Sequence, residues 1–441
     1  MPSARAAMLF SYRSNDLQLP PLEPNLRRLR AFVGVVQEGS VRRAADMLHL
    51  TQPTVTRAIQ KLEREIGHPL FERTSTGMTA TAIGLTAARR AGRALAYVRA
   101  AEDELARLPR EPAAATPAHA AGAGVASPGP GCAARIVHAL TSRHLQALIA
   151  LSEHGTHSAA ANALSLSQPA ITQALSDLER LVGAPLLLRT SRGMAATAAG
   201  EILLRRGKLA LAEIQACASD IAEHLGTVTG TVAIGVLPIC GTLLVPRAVN
   251  RLLRDHPALH VVLVDGPYDT LLHKLREGRL DVIVGPLRDP SPAADTRQEA
   301  LFDGALSVIA RKDHPLAGRC GLTLAELGRC EWVLPSRETP ARAIIERVMA
   351  RAGLPMPDNP VEANALATLR ALLMESDRVA MISRHQIYFE ERGGMLAVLP
   401  IELADTARSI GMTVRADAQP PAGVQSLLDH LRAAARERLL A

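Results

Sequence analysis

Two segments of the chain carry amide, hydroxyl and basic side chains at helical spacing, each directly after a hydroxyl residue. The outward positions of the first segment hold Gln52, Thr54, Thr56, Arg57, Gln60 and Lys61, and those of the second hold Gln168, Thr172, Gln173 and Ser176. An amide side chain can bond two atoms of an adenine edge, and hydroxyl and basic groups reach phosphate oxygens. A helix N-terminus also favours anions. These side chains therefore suit contact with the bases and phosphates of a nucleic acid.

The elements around the first segment predict how it is positioned. A helix is predicted from the cap residue Thr51 to Gly67, and Pro53 is tolerated in its first turn. Its inner apolar stripe consists of Val55, Ile59, Leu62 and Ile66. Before it, Gly39 is expected to end one helix and Ser40 to cap a short second one. The pattern indicates a three-helix knob whose third helix turns its polar face outward.

A small hairpin and a long helix are predicted to follow the knob. The hairpin strands are expected at residues 70–74 and 78–81, with Arg73 on the hairpin. The long helix is expected at 82–108. Its apolar side is predicted to consist of Leu85, Ala88, Leu95, Val98 and Leu105. Three helices and a hairpin in this order are typical of a winged helix-turn-helix, whose third helix enters the major groove of DNA.

The whole unit occurs twice, with each residue of the second copy 116 positions after its counterpart, as Gly39 and Gly155 illustrate. From residues 29 and 145 to residues 84 and 200 the copies align without a gap, and roughly half of the paired positions are identical. In the second copy Ser167 is the predicted cap of the third helix, and the hairpin carries Arg189 and Arg192. Its long helix is expected at 198–225. Self-similarity at a constant offset indicates a duplicated domain.

Strand-like and helical segments alternate after about residue 226, which is typical of an α/β domain with largely parallel strands. Strands are predicted at 231–236, 260–264, 280–284, 306–310, 332–334, 379–382, 395–399 and 410–415, and helices at 243–255, 270–277, 340–352, 365–375 and 424–440. A tract rich in Pro, Ala and Gly between the copies predicts a flexible linker. The predicted domains are a flexible tail (1–24), the first head with its long helix (25–108), the linker (109–134), the second head with its long helix (135–226) and the α/β domain (227–441).

Composition restricts the class of protein further. The chain has 441 residues, of which 48% are apolar and 21% charged, as in a globular protein and unlike collagen, a coiled-coil rod or a disordered chain. Its net charge of +7 is compatible with a polyanionic partner. The five cysteines show no Cys-x-x-Cys spacing, and neither a signal peptide nor an uncharged membrane span is recognisable. These features predict a cytoplasmic protein without a membrane partner.

At these residues the chain resembles the LysR-type transcriptional regulators, over nearly all of its length from residue 26. The strings 50–57, 62–63 and 67–74 are similar to that family's DNA-reading head and wing, and 256–257 and 275–282 are similar to its effector domain. One head per chain is the family pattern, so the tandem duplication is a departure from it. The resemblance implies an α/β plus all-α fold. It would contain two winged helix-turn-helix domains with long linker helices, followed by a periplasmic-binding-protein-like effector domain of two α/β subdomains.

The function that this resemblance implies is transcription regulation through operator DNA, modulated by a small-molecule effector. The expected DNA contacts are Gln52, Thr54, Thr56, Arg57, Lys61 and Arg73 in the first head and Gln168, Thr172, Gln173, Arg189 and Arg192 in the second. The effector is expected between the subdomains, at Pro238, Cys240, Gly241, Thr242, Pro286, Ser336, Thr339, Asn364 and Ser383. As single residues these nine are equally consistent with ordinary caps, turns and core positions. A sugar or an aromatic acid is the implied effector class.

The two heads differ in charge, which predicts unequal roles. Residues 26–108 carry a net charge of +6, whereas residues 142–225 are neutral overall. In the third helix Arg57 is replaced by Gln173 and Lys61 by Asp177. Because neutralised phosphates supply much of a protein's affinity for DNA, the first head is expected to supply most of it.

The number of linker helices leaves the assembly open. In the family the linker helices of two chains pair, whereas this chain contains two such helices. They can pair within one chain, as an internal pseudo-dimer, or between chains by domain swapping. A homo-oligomer through the linker helices or the effector domains is expected in either case.

Two other function classes compete with DNA-dependent regulation. One is a small-molecule-binding protein whose heads serve mainly in oligomerisation. The other is an enzyme, which is disfavoured because the chain has no Gly-x-Ser-x-Gly elbow, phosphate-binding loop or His-Glu-x-x-His motif. His138, His144, His154 and His157 lack the spacing of metal ligands. Neither a cofactor nor a metal is therefore predicted.

Overall fold

The computed structural model describes residues 25–74, 77–109, 136–191, 193–291 and 293–437. The predicted tail and nearly all of the predicted linker lie outside these described residues. The chain divides into two compact units, a mainly helical unit that contains both heads and an α/β unit that begins within the first long strand after them.

The first head contains the predicted three helices, hairpin and long helix. Its elements are α1 (Leu26–Glu38), α2 (Val41–Met47), α3 (Gln52–Ile66), β1 (Phe71–Thr74), β2 (Gly77–Ala80) and α4 (Ala82–Arg107). The predicted helix ends are confirmed: Gly39 and Gly67 end their helices with positive φ, and the Ser40 hydroxyl accepts a hydrogen bond from the Arg43 backbone N–H. The Phe32 and Phe71 rings meet edge to face, with centroids 5.6 Å apart, and join α1 to the wing.

The second head repeats this order after a one-turn helix. Its elements are α5 (Ile136–Ala139), α6 (Ser142–His154), α7 (His157–Leu164), α8 (Gln168–Val182), β3 (Leu187–Thr190), β4 (Gly193–Ala196) and α9 (Ala198–His224). Ser167 caps α8 as predicted, since its hydroxyl accepts a hydrogen bond from the Ala170 backbone N–H. On the inner face of α8, Ile171, Leu175 and Leu178 are buried and Val182 is half-buried.

Side-chain hydrogen bonds hold the wing in place relative to the third helix. In the first head the Glu63 carboxylate accepts a bond of 2.9 Å from the Leu70 backbone N–H. The Thr81 hydroxyl donates to the Pro69 carbonyl and accepts from the Gly84 backbone N–H, both over 2.9 Å. The equivalent bonds recur 116 positions later in the second head. The duplication therefore preserves the connections that orient the third helix as well as the helices themselves.

The long helices α4 and α9 pack against each other within one chain, and a continuous apolar cluster runs through both of them and both heads. Their directions are antiparallel. Arg90, near the start of α4, lies 2.7 Å from Asp220 near the end of α9, while Glu104 near the end of α4 bonds Arg205 and Arg206 near the start of α9. The antiparallel contact shows that the two long helices of one chain can pair with each other.

The predicted apolar side of α4 is wrong at Leu85, which is 57% exposed. Four of the nine buried residues of α4 are alanines, and another is Arg90, which is only 3% exposed. Hydrophobic periodicity cannot identify a buried arginine, because its burial depends on acidic partners supplied by another helix.

The α/β unit contains a five-stranded sheet, a three-stranded sheet and a two-stranded pair. Its strands are β5 (Gly230–Val236), β6 (Leu259–Asp265), β7 (Val282–Pro286), β8 (Thr296–Gly304), β9 (Ser307–Arg311), β10 (Val333–Leu334), β11 (Val361–Glu362), β12 (Ala380–Ile382), β13 (Leu396–Leu399) and β14 (Arg408–Arg415). Its α-helices are α10 (Pro238–Gly241), α11 (Leu244–Asp255), α12 (Tyr268–Arg276), α13 (Pro340–Arg351), α14 (Leu366–Met374), α15 (Tyr388–Arg392) and α16 (Ala422–Arg436), and two 3₁₀ helices span Leu324–Arg329 and Arg384–Ile387.

The strand orders define two lobes. The first lobe holds the sheet β6-β5-β7-β14-β8, and the second holds β12-β9-β13 and the short pair β10-β11. The chain passes from the first sheet to the second between β8 and β9 and returns between β13 and β14. The expected fold class, winged heads followed by a two-lobed α/β domain, is confirmed.

The prediction of largely parallel strands is wrong. β5 and β7 are parallel, but β14 runs antiparallel to both β7 and β8, and β9 is antiparallel to both of its neighbours. The reason is topological, because β14 enters the first sheet after the chain has crossed the second lobe. Strand β8 was not predicted. Its charged residues at an edge position mask the alternation that marks a half-buried strand.

Within the described part of the chain, every helix is too short or too polar to span a bilayer.

Candidate nucleic-acid interface and effector pocket

Helix α3 separates an apolar face from an exposed polar face. Val55, Ile59, Leu62 and Ile66 are all at most 4% exposed. The predicted contacts Gln52, Thr54, Arg57 and Lys61 are exposed, and Thr56 is half-buried. Thr51 lies at the N-cap but makes no capping bond, because its hydroxyl pairs with that of Thr54 over 2.8 Å. The polar face, which begins at the helix N-terminus, is therefore available to a partner.

Helix α8 presents a different polar face. The predicted contacts Gln168, Thr172 and Gln173 are exposed. The Gln173 amide donates a 2.9 Å bond to the Asp177 carboxylate, which also receives a 2.8 Å bond from Arg180. An acidic group thus stands where α3 carries Lys61, and it lowers the attraction of this helix for phosphate.

The wings add a basic side chain to each head. Arg73 on β1 and Arg189 on β3 are both exposed. They are equivalent positions of the duplication and occupy equivalent registers, opposite Met78 and Met194. The predicted contact Arg192 lies outside the described residues.

A pocket of about 580 Å³ opens between the two lobes of the α/β unit. Its walls come from the end of β7 and the residues after it, from one face of α13 and from the start of β14. The lining residues are Pro286, Leu287, Arg288, Pro340, Ala343, Ile344, Glu346, Arg347, Ala350 and Arg408. Three arginines against one glutamate give these walls a positive balance, which favours an anionic ligand.

Arg408 lies at the start of β14 and is partly buried. Its Nε atom is buried and has no hydrogen-bond partner among the described residues. Burial lowers the pKa of this guanidinium, and the charge of Arg288 lowers it further. Arg288 itself lies over the ring of Tyr268, with 4.6 Å between the guanidinium carbon and the ring centroid. A negative group in the pocket would relieve both the desolvation and the repulsion of these cations.

The nine predicted effector residues fall into separate groups. Pro286 lines the pocket, and Thr339 caps α13 next to the lining residue Pro340. The Ser336 backbone N–H donates 3.0 Å to the Asn364 side chain, and the Thr339 hydroxyl donates 2.9 Å to the Ser336 carbonyl. These two bonds join three of the predicted residues in one cluster.

The remaining five residues occupy varied positions. Pro238 and Gly241 are exposed, and the side chains of Cys240 and Ser383 are buried. The helix predicted at 243–255 begins at Leu244, two residues after Thr242, and the Thr242 hydroxyl accepts a 2.8 Å bond from Arg370. The sequence reasoning missed the arginines of the pocket, since basic residues distant along the chain give no local pattern.

Cys240 is expected to be chemically inert in the folded protein. The residue is fully buried, and burial raises the pKa of its thiol to about 12, so the reactive thiolate is scarce at neutral pH. In variants that retain a single cysteine, Cys240 should react with a thiol reagent at least about a hundredfold more slowly than the exposed Cys320. Equal rates in native buffer would contradict this expectation, and equal rates in denaturant are the control.

Two winged helix-turn-helix heads joined to a two-lobed α/β domain with a ligand-sized pocket define a DNA-binding transcription regulator. The family comparisons agree with this class. The model described as "Bacterial regulatory helix-turn-helix protein, lysR family" matches residues 26–85 and again 142–201, and "LysR substrate binding domain" matches 225–436. The chain belongs to the LysR family of transcriptional regulators. It is a regulator that binds DNA and whose promoter binding is modulated by a small-molecule effector.

Individual relatives support this membership. The chain is 37% identical over 402 residues to the HTH-type transcriptional regulator GalR of Pseudomonas putida. The alignment covers 91% of this chain and 95% of GalR. It is 30% identical over 295 residues to the HTH-type transcriptional regulator PcaQ of Agrobacterium fabrum. This alignment covers 67% of this chain and 95% of PcaQ. The GalR alignment leaves out fewer residues than either head match contains, so both heads take part in it.

Among solved structures, a full-length variant of OxyR from Pseudomonas aeruginosa has the same fold. The superposition has a TM-score of 0.53 at 22% sequence identity, and it covers 68% of this chain and 97% of that one.

Proposed function

We propose that both heads contact operator DNA through α3 and α8, and that the first head supplies most of the affinity. The observation that carries this proposal is the placement of the two polar faces. Gln52 and Gln168 are exposed at the N-termini of their helices, while the apolar stripes behind them are buried. Exposed amide, hydroxyl and basic groups at a helix N-terminus match the donors that base edges and phosphates require. The charge difference between the heads supports their unequal roles.

Arg57→Ala is expected to weaken binding to the gene's own upstream DNA about tenfold or more, because a charged hydrogen bond contributes about 1.5–3 kcal/mol. It should also reduce the slope of log affinity against log salt by about one, since one phosphate contact is lost. Gln173→Ala should have a smaller effect on both quantities. Binding is measured by gel shift or fluorescence anisotropy across a salt series.

The control for this comparison is Arg107→Ala, which removes an exposed arginine at the end of α4. It should leave both affinity and slope unchanged. An equal or greater loss from Gln173→Ala than from Arg57→Ala would contradict the unequal roles.

We propose further that the effector is a small anion, which favours an aromatic acid over a neutral sugar, and that it binds in the arginine-lined pocket. The unpartnered Nε of Arg408 and the neighbouring Arg288 and Arg347 support this assignment. A carboxylate can accept two charge-assisted hydrogen bonds from one guanidinium. A sugar hydroxyl is neutral and cannot form this pair. The lobes on either side of the pocket can then respond to the ligand, provided it binds one arrangement better than another.

Hydroxybenzoates are expected to raise the Tm of the protein, whereas glucose and galactose are not. At a ligand concentration of 100 times Kd the stabilisation is about 2.7 kcal/mol. Arg408→Met should abolish the shift, and Arg311→Met, on β9 and outside the pocket lining, should retain it. A Tm that rises with the sugars alone, or an undiminished shift in Arg408→Met, would contradict the proposed site.

A homo-oligomer formed through the effector domains is also proposed. The linker helices, through which chains of the family pair, are packed on each other within this chain. Contacts between chains therefore fall to the α/β units. A size measurement of the full chain by light scattering tests this: a monomer at micromolar concentration would argue against it.

A further inference from the structure

The pairing of α4 with α9 determines which heads stand together on DNA. We infer that the operator of this protein consists of two different half-sites, one read by α3 and the other by α8. This inference rests on the proposed contact of both heads with DNA. It goes beyond that proposal because it states that the two halves of the operator differ in base sequence. It also assigns one half to each reading helix.

Every two-headed unit contains one head of each kind. The first head continues into α4, the second continues into α9, and these helices pack on each other in antiparallel directions. A domain swap between chains would preserve this composition, because it too places an α4 against an α9. Pairing within a chain and domain swapping between chains therefore both place one first head beside one second head.

The charges at the centre of the pair favour unlike helices. Tyr97 of α4 and its counterpart Glu213 of α9 lie midway between the Arg90–Asp220 and Glu104–Arg206 ion pairs. The Glu213 carboxylate bonds both Arg90 and Arg93, each over 2.9 Å.

Pairs of like helices would keep the outer ion pairs, because Glu104 is the counterpart of Asp220 and Arg90 that of Arg206. They would lose the arrangement at the centre. In a pair of two α4 helices, Arg90 and Arg93 would meet Tyr97 in place of Glu213. Two α9 helices would bring two Glu213 carboxylates to the same buried level. Like charges in a poorly solvated interface repel each other strongly, so the mixed pair is the favoured one.

The two reading helices differ at the positions that face outward. They share a glutamine at 52 and 168 and a threonine at 56 and 172. They differ at four paired positions: Thr54 and Ala170, Arg57 and Gln173, Gln60 and Ser176, Lys61 and Asp177. Arginine and lysine bond the O6 and N7 atoms of guanine, glutamine bonds adenine, and a carboxylate accepts from the N4 amino group of cytosine. The Gln173–Asp177 bond makes a joint donor and acceptor group that α3 does not have. The helices therefore select different bases.

A dimer of identical heads reads an inverted repeat, because the symmetry of the protein is imposed on the DNA. In this protein the two heads share the same helices and hairpin, but the outward residues of α3 and α8 differ. The expected operator consequently has two related but unequal halves, A and B, and the protein lies on it in one orientation.

The experiment is a selection of duplexes from a random-sequence library by the full-length chain at low ionic strength. Sequencing of the bound fraction should yield a motif with two unlike halves. Synthetic duplexes A–B, A–A and B–B are then compared by anisotropy. A–B should bind about tenfold or more tightly than either symmetric duplex, since a single mismatched base pair already lowers affinity about five- to a hundredfold.

Helix-specific variants assign the halves. Arg57→Ala should relax base preference in half A alone, and Gln173→Ala in half B alone. The double substitution Gln173→Arg with Asp177→Lys, which makes α8 resemble α3, should move the preference from A–B toward A–A. All of these positions are on the helix surface, and an unchanged circular dichroism spectrum verifies the fold.

Two results would overturn the inference: a perfect inverted repeat, or an A–A duplex bound as tightly as A–B. A motif with one half alone, or a library from which the protein retains no duplex at all, would instead contradict the proposed DNA binding by both heads. The two failures are thus distinguished in the same selection.

Discussion

Arg90→Met is expected to destabilise the helical unit by about 3–5 kcal/mol, the range for removal of one partner from a buried ion pair. Arg90 is 3% exposed and donates to both Asp220 (2.7 and 3.0 Å) and Glu213 (2.9 Å), which are themselves 5% and 6% exposed. Burial alone would lower the pKa of the guanidinium, but the two carboxylates outweigh it and hold the pKa above its usual value. Without Arg90 the Asp220 and Glu213 carboxylates stay buried but lose the positive charge and the hydrogen bonds of its guanidinium. Urea titration followed by circular dichroism measures the free energy of unfolding.

Two further variants test this physical reason. Arg99→Met, at an exposed position of the same helix, should change stability by no more than about 0.5 kcal/mol. The triple substitution of Arg90→Met, Glu213→Leu and Asp220→Leu should recover most of the loss, because apolar residues of similar volume can replace a buried charge cluster. An Arg90→Met protein as stable as wild type, or a triple variant no better than it, would contradict the explanation.

Gly84→Ala is expected to destabilise the first head by about 3 kcal/mol, at the upper end of the range for overpacking. A Cβ atom at this position would lie 2.1 Å from the Leu70 carbonyl oxygen, which is part of the backbone and cannot rotate away. The start of α4 would have to move from the turn that leads into the wing, and the bond from the Gly84 N–H to Thr81 would lengthen. The free energy of unfolding and the gel-shift affinity should both fall.

The same helix offers a matched control of opposite sign. Gly92 is also within α4, but a Cβ there would meet nothing within 4 Å. Gly92→Ala should stabilise the protein by about 0.5–1 kcal/mol through the helix propensity of alanine. Gly200→Ala should reproduce the effect of Gly84→Ala in the second head, because its Cβ would lie 2.0 Å from the Leu186 carbonyl oxygen. A Gly84→Ala variant as stable as wild type would contradict this prediction, because the backbone would then accommodate the new Cβ beside the Leu70 carbonyl oxygen without strain.

Most of the secondary structure and the polar faces of the heads could be predicted from local signals. Gly39, Gly67 and Ser40 act within a turn of their own position, and the stripe from Val55 to Ile66 repeats with the helical period. A constant offset of 116 residues then transferred each prediction to the second head. Such signals involve neighbours in the chain, so the amino-acid sequence alone determines them.

The sequence left open everything that depends on partners distant along the chain. Burial of Arg90 requires acids more than a hundred residues away, and the antiparallel placement of β14 requires the chain to return from the second lobe. The pocket arginines Arg288, Arg347 and Arg408 likewise meet only when the two lobes are folded. By itself the sequence determined two winged helix-turn-helix heads and an α/β domain, because periodicity and capping are local. Only the tertiary structure shows how α4 packs on α9 and which arginines line the pocket, because packing and charge compensation are non-local.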